Sequence, residues 1–225
     1  MILDNKKKFV ITINRELGSG GRSVGLIVAA RLDVPFYDKA LIKALTEKYQ
    51  LSVEEIERIK GRKHSWWADF KRAMDFGAGL NASQYYYPQA QPGDLPDALT
   101  TDEMFQTEQE VLMGIAADES CVVAGRCGFY VFREHPNHLS VLIQASLKHR
   151  VERVARKQHL TEDEALQVIR RVDEMRENYV KKYTGTSRYD TRNYDLVLRA
   201  DGKTEEELAD IILQYAINDG PVLRR

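Results

Sequence analysis

A glycine-rich turn between an apolar run and a helix is the feature that most restricts the folds open to this chain. The run spans residues 9–13, Gly18, Gly20 and Gly21 follow it, and the ten residues from Ser23 are apolar around most of a helical circumference. A short β-branched run is typical of a strand buried on both faces of a parallel sheet. A glycine loop before a helix turns backbone N–H groups inward and adds the positive end of the helix dipole. The sequence therefore predicts a phosphate site at the start of this helix.

Four more short apolar segments alternate with helical sequence along the 225 residues. They span residues 34–37, 121–124, 139–143 and 195–198. This alternation predicts an α/β fold with a five-stranded parallel sheet flanked by helices. The pattern Ser/Thr-x-x-Glu, typical of a capping box, predicts helix starts at Ser52, Thr100, Thr161 and Thr204. The length fits one domain over residues 1–225 that carries an insertion.

The charge balance excludes several classes of protein. Lysine and arginine number 33 against 34 aspartates and glutamates, so the chain lacks the global positive field that drives non-specific nucleic-acid binding. Its 43% hydrophobic content is too high for a disordered protein. The apolar run after the N-terminal lysines is too short for a signal peptide or a membrane span. With only two cysteines, we expect a cytoplasmic protein and neither a membrane nor a nucleic acid as partner.

The glycine loop partly matches the P-loop pattern G-x-x-x-x-G-K-[ST]. Gly21, Arg22 and Ser23 occupy its last three places, with Arg22 at the lysine position, and Glu16 takes the place of the first glycine. The Ser23 hydroxyl is placed to reach a magnesium ion, which prefers oxygen ligands. Two other interpretations stay open at this point: a purely structural turn, and a dinucleotide fold in which Asp38 contacts a ribose.

Acidic and basic residues at helical spacing form a second candidate cluster. Asp173 and Arg176 are three residues apart and share a helix face, as do Arg150 and Arg153. These faces suit phosphate and ribose contacts. The alternative is ordinary surface ion pairs with neighbouring glutamates.

Several segments together resemble the cytidylate kinase-like family. They are residues 36–43, residues 122–126, Asp173-x-x-Arg176-x-x-Tyr179, residues 183–185 and residues 193–196. The resemblance extends from Ile11 to about Ala216. It implies a three-layer P-loop kinase fold and transfer of the γ-phosphoryl group of ATP, with Mg²⁺, to CMP or dCMP.

The resemblance also implies roles for particular residues. The ATP loop comprises Gly18, Ser19, Gly20, Gly21, Arg22 and Ser23, and Ser23 meets the metal. Arg150 and Arg153 resemble arginines at the base of a lid near ATP. The acceptor contacts are Asp38, Arg126, Asp173 and Arg176. The catalytic residues are Arg22, Arg153 and Arg176. The acceptor-binding helical insertion covers 39–118, and the lid-like region covers 159–193.

We therefore expect an ATP-dependent nucleoside monophosphate kinase, monomeric or homodimeric, with a small-molecule nucleotide as its partner. Two departures separate the chain from true cytidylate kinases: Arg22 replaces the P-loop lysine, and Ala124–Cys127 replaces an Asp-Gly-Arg-Asp run. These departures leave two alternatives open, a nucleotide-binding regulatory protein that has lost catalysis and a kinase for a small metabolite.

Overall fold

A computed structural model describes residues 3–39, 42 and 102–217. Most of the predicted insertion, 39–118, lies outside these residues, as do the helix starts predicted at Ser52 and Thr100. The extents of the insertion and of the lid-like region 159–193 stay predictions.

The described chain contains a five-stranded parallel sheet, so the predicted fold class is confirmed. The strands are β1 (Val10–Arg15), β2 (Phe36–Asp38), β3 (Cys121–Ala124), β4 (His138–Gln144) and β5 (Leu196–Arg199). Their order is β2-β3-β1-β4-β5, and every neighbouring pair is parallel. β1 is central, with Val10 opposite Cys121 on one side and His138 on the other. The loop that follows β1 therefore starts from the middle of the carboxyl edge.

Helices cover both faces of the sheet. They are α1 (Gly21–Leu32), α2 (Asp102–Asp118), α3 (Gly128–Val131), α4 (Leu147–Gln158), α5 (Glu162–Thr184) and α6 (Glu205–Ile217). A short 3₁₀ turn at Thr191–Asn193 precedes β5. None of these helices combines the length and the apolar character that a bilayer crossing requires.

The two faces of β1 contact different helices. Ile11 and Ile13 are fully buried in a core that includes residues of α1 and α6. Thr12 points to the opposite face, where a Cβ added to Gly128 of α3 would lie 2.8 Å from the Thr12 methyl group. This alternation follows from the period of two along a strand. Consequently α1 and α3 leave the sheet on opposite sides.

The capping boxes predicted at Thr161 and Thr204 are confirmed. Glu164 N–H donates to the Thr161 hydroxyl oxygen, and the Glu164 carboxylate accepts from the Thr161 N–H. The same reciprocal bonds join Thr204 and Glu207. Helix α1 begins differently, because its N-cap is a glycine that offers no side-chain cap. Its first-turn N–H groups are therefore available to a ligand.

Candidate active site

The glycine loop between β1 and α1 has the backbone geometry of an anion cradle. Gly18 and Gly20 both adopt left-handed conformations, with φ of +87° and +83°. Ser19 is almost fully buried, and its hydroxyl donates to the carbonyl of Glu16 at 3.0 Å. Left-handed residues on either side of Ser19 curve the loop around a concavity next to the positive end of α1. The Ser19 N–H donates to the same Glu16 carbonyl at 3.3 Å. The predicted phosphate loop therefore has a preformed shape.

Close packing against α4 fixes the position of this loop. A Cβ on Gly18 would lie 2.8 Å from the Arg150 carbonyl oxygen and 2.9 Å from the Arg150 Cα. A real Cβ does not approach backbone this closely, so only glycine fits there.

Glu16 joins the loop to the neighbouring strand. Its N–H donates to the carbonyl of Ile143 at 3.1 Å, and its carboxylate accepts from the N–H of Ala145 at 3.0 Å. The other carboxylate oxygen is 3.3 Å from Nη1 of Arg150. In the P-loop pattern, Glu16 only stood where the first glycine is expected. The bridging role of Glu16 depends on the pairing of β4 with β1, which a local sequence pattern does not contain.

Asp173 on α5 is the centre of a buried cluster of charges beneath the loop. One carboxylate oxygen accepts from the Leu17 N–H at 3.1 Å, and the other accepts from Nη1 of Arg150 at 2.6 Å. Nη1 of Arg188 lies 3.5 Å away and Nη1 of Arg176 lies 4.0 Å away. The structure thus brings together three predicted residues, Arg150, Asp173 and Arg176. The alternative of ordinary surface ion pairs does not describe Asp173 and Arg150, which are both buried.

Arg188 is a buried arginine that sequence reasoning did not identify. Its side chain has no exposed surface, and Nη2 donates to the carbonyl oxygen of Arg15. Arg176 reaches the same carbonyl at 3.5 Å. Within the described residues, Nε of Arg188 has no hydrogen-bond partner. Because Arg188 lies in a polar loop with no helical spacing, its sequence context carried no signal.

Arg153 covers the opposite side of the loop. Its guanidinium carbon is 3.5 Å from the position of a Cβ on Gly20, and Nη2 forms an ion pair with Glu205 of α6. Lys157 is one helical turn away. Burial and then the positive charge of Arg153 lower its pKa, and the charge of Arg22 contributes to the same shift. Residues 150, 153 and 157 share one helix face, and this spacing could have identified Lys157 as a third basic residue beside Arg150 and Arg153.

Arg22, in the first turn of α1, is turned toward β2. Its Nε donates to Asp38 at 2.8 Å, and its guanidinium lies 5.7 Å from the ring centroid of Phe36. The Asp38 side chain is 3% exposed. A predicted ATP contact and a predicted acceptor contact are therefore joined directly, and their separate roles stay predictions.

Arg126 follows β3 in a strained turn. Arg126 and Cys127 are not glycines, yet both have φ of +54°. The side chain forms an ion pair with Glu108 of α2, and its guanidinium lies 4.8 Å from the ring centroid of Tyr179. Burial raises the pKa of Cys127 to about 12, although the charge of Arg126 opposes the shift. The acceptor role of Arg126 stays a prediction.

The donor set suits a nucleotide phosphate with magnesium. Ser23 lies in the first turn of α1 beside the cradle. In the described part of the chain, no group of three or more histidine, cysteine, aspartate or glutamate side chains is placed to hold a metal. Mg²⁺ is usually held by substrate phosphates, water and one or two protein oxygens, so a single hydroxyl is compatible with it.

Comparison with known proteins points to one family. The model of the cytidylate kinase-like family matches residues 10–201. A cytidylate kinase of Sulfolobus acidocaldarius is 31% identical over 105 residues, which are 46% of this chain and 57% of that protein. The chain thus spans only about half the length of this curated relative.

A solved structure of another protein matches over nearly the whole chain. An uncharacterized protein of Eubacterium ventriosum superposes with a TM-score of 0.67 at 21% identity, over 93% of this chain and 98% of that one. At this level of identity the match shows a shared fold.

Proposed function

The chain belongs to the cytidylate kinase-like family, and from this we propose that it transfers the γ-phosphoryl group of ATP to a nucleoside monophosphate, with CMP and dCMP as the favoured acceptors. The observation that carries the proposal is the set of arginines around the glycine loop. Arg150, Arg153, Arg176 and Arg188 each contact the loop or a residue that orders it. Phosphoryl transfer depends mainly on alignment and on neutralisation of spreading charge, which such a set supplies.

The loop would bind the donor phosphates. The N–H groups from Gly18 to Ser23, other than that of Ser19, which donates to the Glu16 carbonyl at 3.3 Å, would donate to β- and γ-phosphate oxygens. Arg153 would contact these oxygens from the side of α4. The Ser23 hydroxyl would hold Mg²⁺, whose positive charge would offset part of the negative charge of the phosphates. Asp173 was expected above to contact the acceptor, but both of its carboxylate oxygens already accept hydrogen bonds. It would therefore act through its arginines, by holding Arg150 and Arg176 in place as the acceptor approaches.

In the reaction, an acceptor phosphate oxygen forms a bond to the γ-phosphorus while the bond to the bridging oxygen of ADP breaks. ADP leaves with that electron pair. Arg176 is suited to the charge that develops, because it is 30% exposed and is already oriented by Asp173 and the Arg15 carbonyl. Arg22 and Asp38 link the donor loop to the end of β2. We assign the acceptor contacts to this side, together with Arg126.

We place this activity in the cytoplasm. In the structure Cys121 and Cys127 are both free and buried. Free thiols suit a reducing compartment, where ATP and nucleoside monophosphates are both present.

The test is a panel of acceptors with ATP and Mg²⁺, in which nucleoside diphosphate products are separated and quantified. We expect product from CMP and dCMP, and from UMP more weakly. Arg22→Met should remove most of the turnover, whereas Arg192→Met should not, because the Arg192 side chain is 88% exposed and forms an ion pair with Asp190, two residues away. Absence of product with every monophosphate would overturn the proposal. Tight ATP binding without product would favour the regulatory alternative.

A further inference from the structure

Arg15, the last residue of β1, has a side chain for which neither the family resemblance nor the pattern match supplied a role. We propose that its guanidinium contacts the transferring phosphoryl group and takes the part that lysine plays in the P-loop pattern. This inference rests on the proposed function and adds a catalytic residue to it. Three features of the packing support it.

First, the Arg15 side chain occupies the space in front of the first residue of α1. A Cβ on Gly21 would lie 2.6 Å from Cβ of Arg15 and 3.1 Å from its Cγ. A side chain at position 21 would therefore overlap the Arg15 side chain, which leaves glycine as the residue that fits. The glycine at 21 is therefore required by the presence of a side chain at position 15.

Second, the Arg15 guanidinium lies in the crevice where a ligand is expected. Its Nη1 comes against Gly125, and its Cζ is 3.5 Å from the position of a Cβ on that glycine. Gly125 directly follows β3, so the guanidinium spans the carboxyl ends of β1 and β3. These strands lead into α1 and α3 on opposite faces of the sheet. In open α/β sheets, ligands bind at this kind of switch point.

Third, the other candidate for the lysine role, Arg22, is turned toward the end of β2. Arg22 donates through Nε to Asp38 at 2.8 Å. Shifted one residue earlier, the P-loop pattern keeps its second glycine, as Gly20, and places Arg22 at the Ser/Thr position. In that register Gly21 takes the lysine position and Arg15 takes the position of the first glycine. The cation and the glycine have then exchanged places along the loop.

The backbone of Arg15 is firmly held, which favours a preorganised contact. Its carbonyl oxygen accepts from Nη2 of Arg188 and lies 3.5 Å from Nη1 of Arg176. The residue also pairs in register with Ile143 of β4. Preorganised donors stabilise charge in a transition state without a cost of reorganisation at that moment. The planar guanidinium can contact a donor oxygen and an acceptor oxygen at once.

The experiment compares Arg15→Met with wild type in turnover and in nucleotide binding. We expect kcat to fall by about 100-fold. By calorimetry, the preference for ATP over ADP should fall by about tenfold, because the lost contact is to the γ-phosphoryl group. Arg192→Met serves as the control for removal of an exposed arginine. An unchanged ATP-to-ADP affinity ratio in Arg15→Met would overturn the inference.

A double variant tests whether the cation at position 15 and the glycine at position 21 can be interchanged. Gly21→Lys alone should lose activity because its side chain overlaps Arg15, and Arg15→Gly alone should lose activity because the cation is gone. Together, Arg15→Gly and Gly21→Lys should recover at least about a tenth of wild-type kcat. A folded double variant as inactive as Arg15→Gly would contradict the inference. An inactive wild type would overturn the proposed function, and the ATP-to-ADP affinity ratio would still decide the role of Arg15.

Discussion

Gly18 and Gly202 have similar backbone conformations in different surroundings. Their φ angles are +87° and +70°. A Cβ on Gly18 would collide with the backbone of Arg150, whereas a Cβ on Gly202 would meet nothing within 4 Å. Comparison of these two glycines therefore separates the energetic cost of a left-handed backbone from that of a steric clash.

We predict that Gly18→Ala and Gly202→Ala differ in both stability and function. Gly202→Ala should lower the free energy of unfolding by about 1 kcal/mol, the cost of a left-handed alanine. Gly18→Ala should lower it by about 3 kcal/mol, because overpacking adds to that cost, and should also weaken ATP binding. Urea unfolding and calorimetry measure these effects. Equal losses in the two variants would show that Gly18 is not tightly packed.

At the scale of single residues, the glycine loop could be predicted from the sequence, whereas the residues that hold it in place could not. The glycines, Ser19 and Ser23 form a local pattern, so their spacing alone indicated a phosphate cradle. Glu16 and Arg188 act through contacts with residues more than a hundred positions away. Such contacts depend on which strands are neighbours, which a local pattern does not contain.

At the scale of elements, Asp173 ties α5 to α4 and to the loop. Its carboxylate bonds both to Arg150 on α4 and to the Leu17 N–H. Around it, Leu17 packs against a small apolar cluster that includes Val154 and Ile169. The first half of α5 is therefore joined to the loop by this cluster and by Asp173. The extent of the lid-like region, 159–193, stays a prediction.

We predict that Asp173→Asn destabilises the fold and uncouples these elements. Removal of one partner from a buried ion pair leaves uncompensated charge, so the free energy of unfolding should fall by about 3 kcal/mol. The matched control is Asp190→Asn, which breaks an exposed pair with Arg192 and should leave stability nearly unchanged. Unfolding curves in urea measure both. Equal stability of the two variants would contradict a structural role for the Asp173 cluster.

The strands were predictable to within a few residues, and their ends were not. The segment 121–124 matches β3 as predicted, whereas β1 continues to Arg15, two residues beyond the predicted run. The reason is that Asn14 and Arg15 are polar but still pair with Leu142 and Ile143 of β4. Apolar patterning marks where a strand is buried, and backbone pairing extends it beyond that point.

At the scale of the whole molecule, a nearly neutral total conceals a local concentration of positive charge. The formal net charge is -1, yet arginines from β1, α1, α4, α5 and the segment after α5 surround one loop. The order of the five strands brings these elements together. The strand order depends on pairing between segments that are distant in the sequence. The alternation of strands and helices therefore predicted the fold class but not the order of the strands.

The stability of the whole molecule should depend on pH through His138. Burial lowers the pKa of His138 to about 4, although the charge of Asp195 opposes the shift. Between about pH 6.5 and pH 4 the unfolded chain binds a proton at this residue that the folded chain does not. Acidification across this window should therefore remove about 3 kcal/mol of stability. The free energy of unfolding measured against pH should fall more steeply in wild type than in His138→Gln, and parallel profiles would contradict the assignment.

The central claim is that this loop transfers a phosphoryl group between nucleotides. ATP labelled at the γ-phosphorus, incubated with Mg²⁺, CMP and the protein, tests it most directly, because the fate of the label separates transfer from hydrolysis. The account predicts that the label appears in the β-phosphate of CDP, and that Arg15→Met slows its appearance by about 100-fold. Label recovered only as inorganic phosphate, or remaining in ATP with CMP, dCMP and UMP alike, would contradict it.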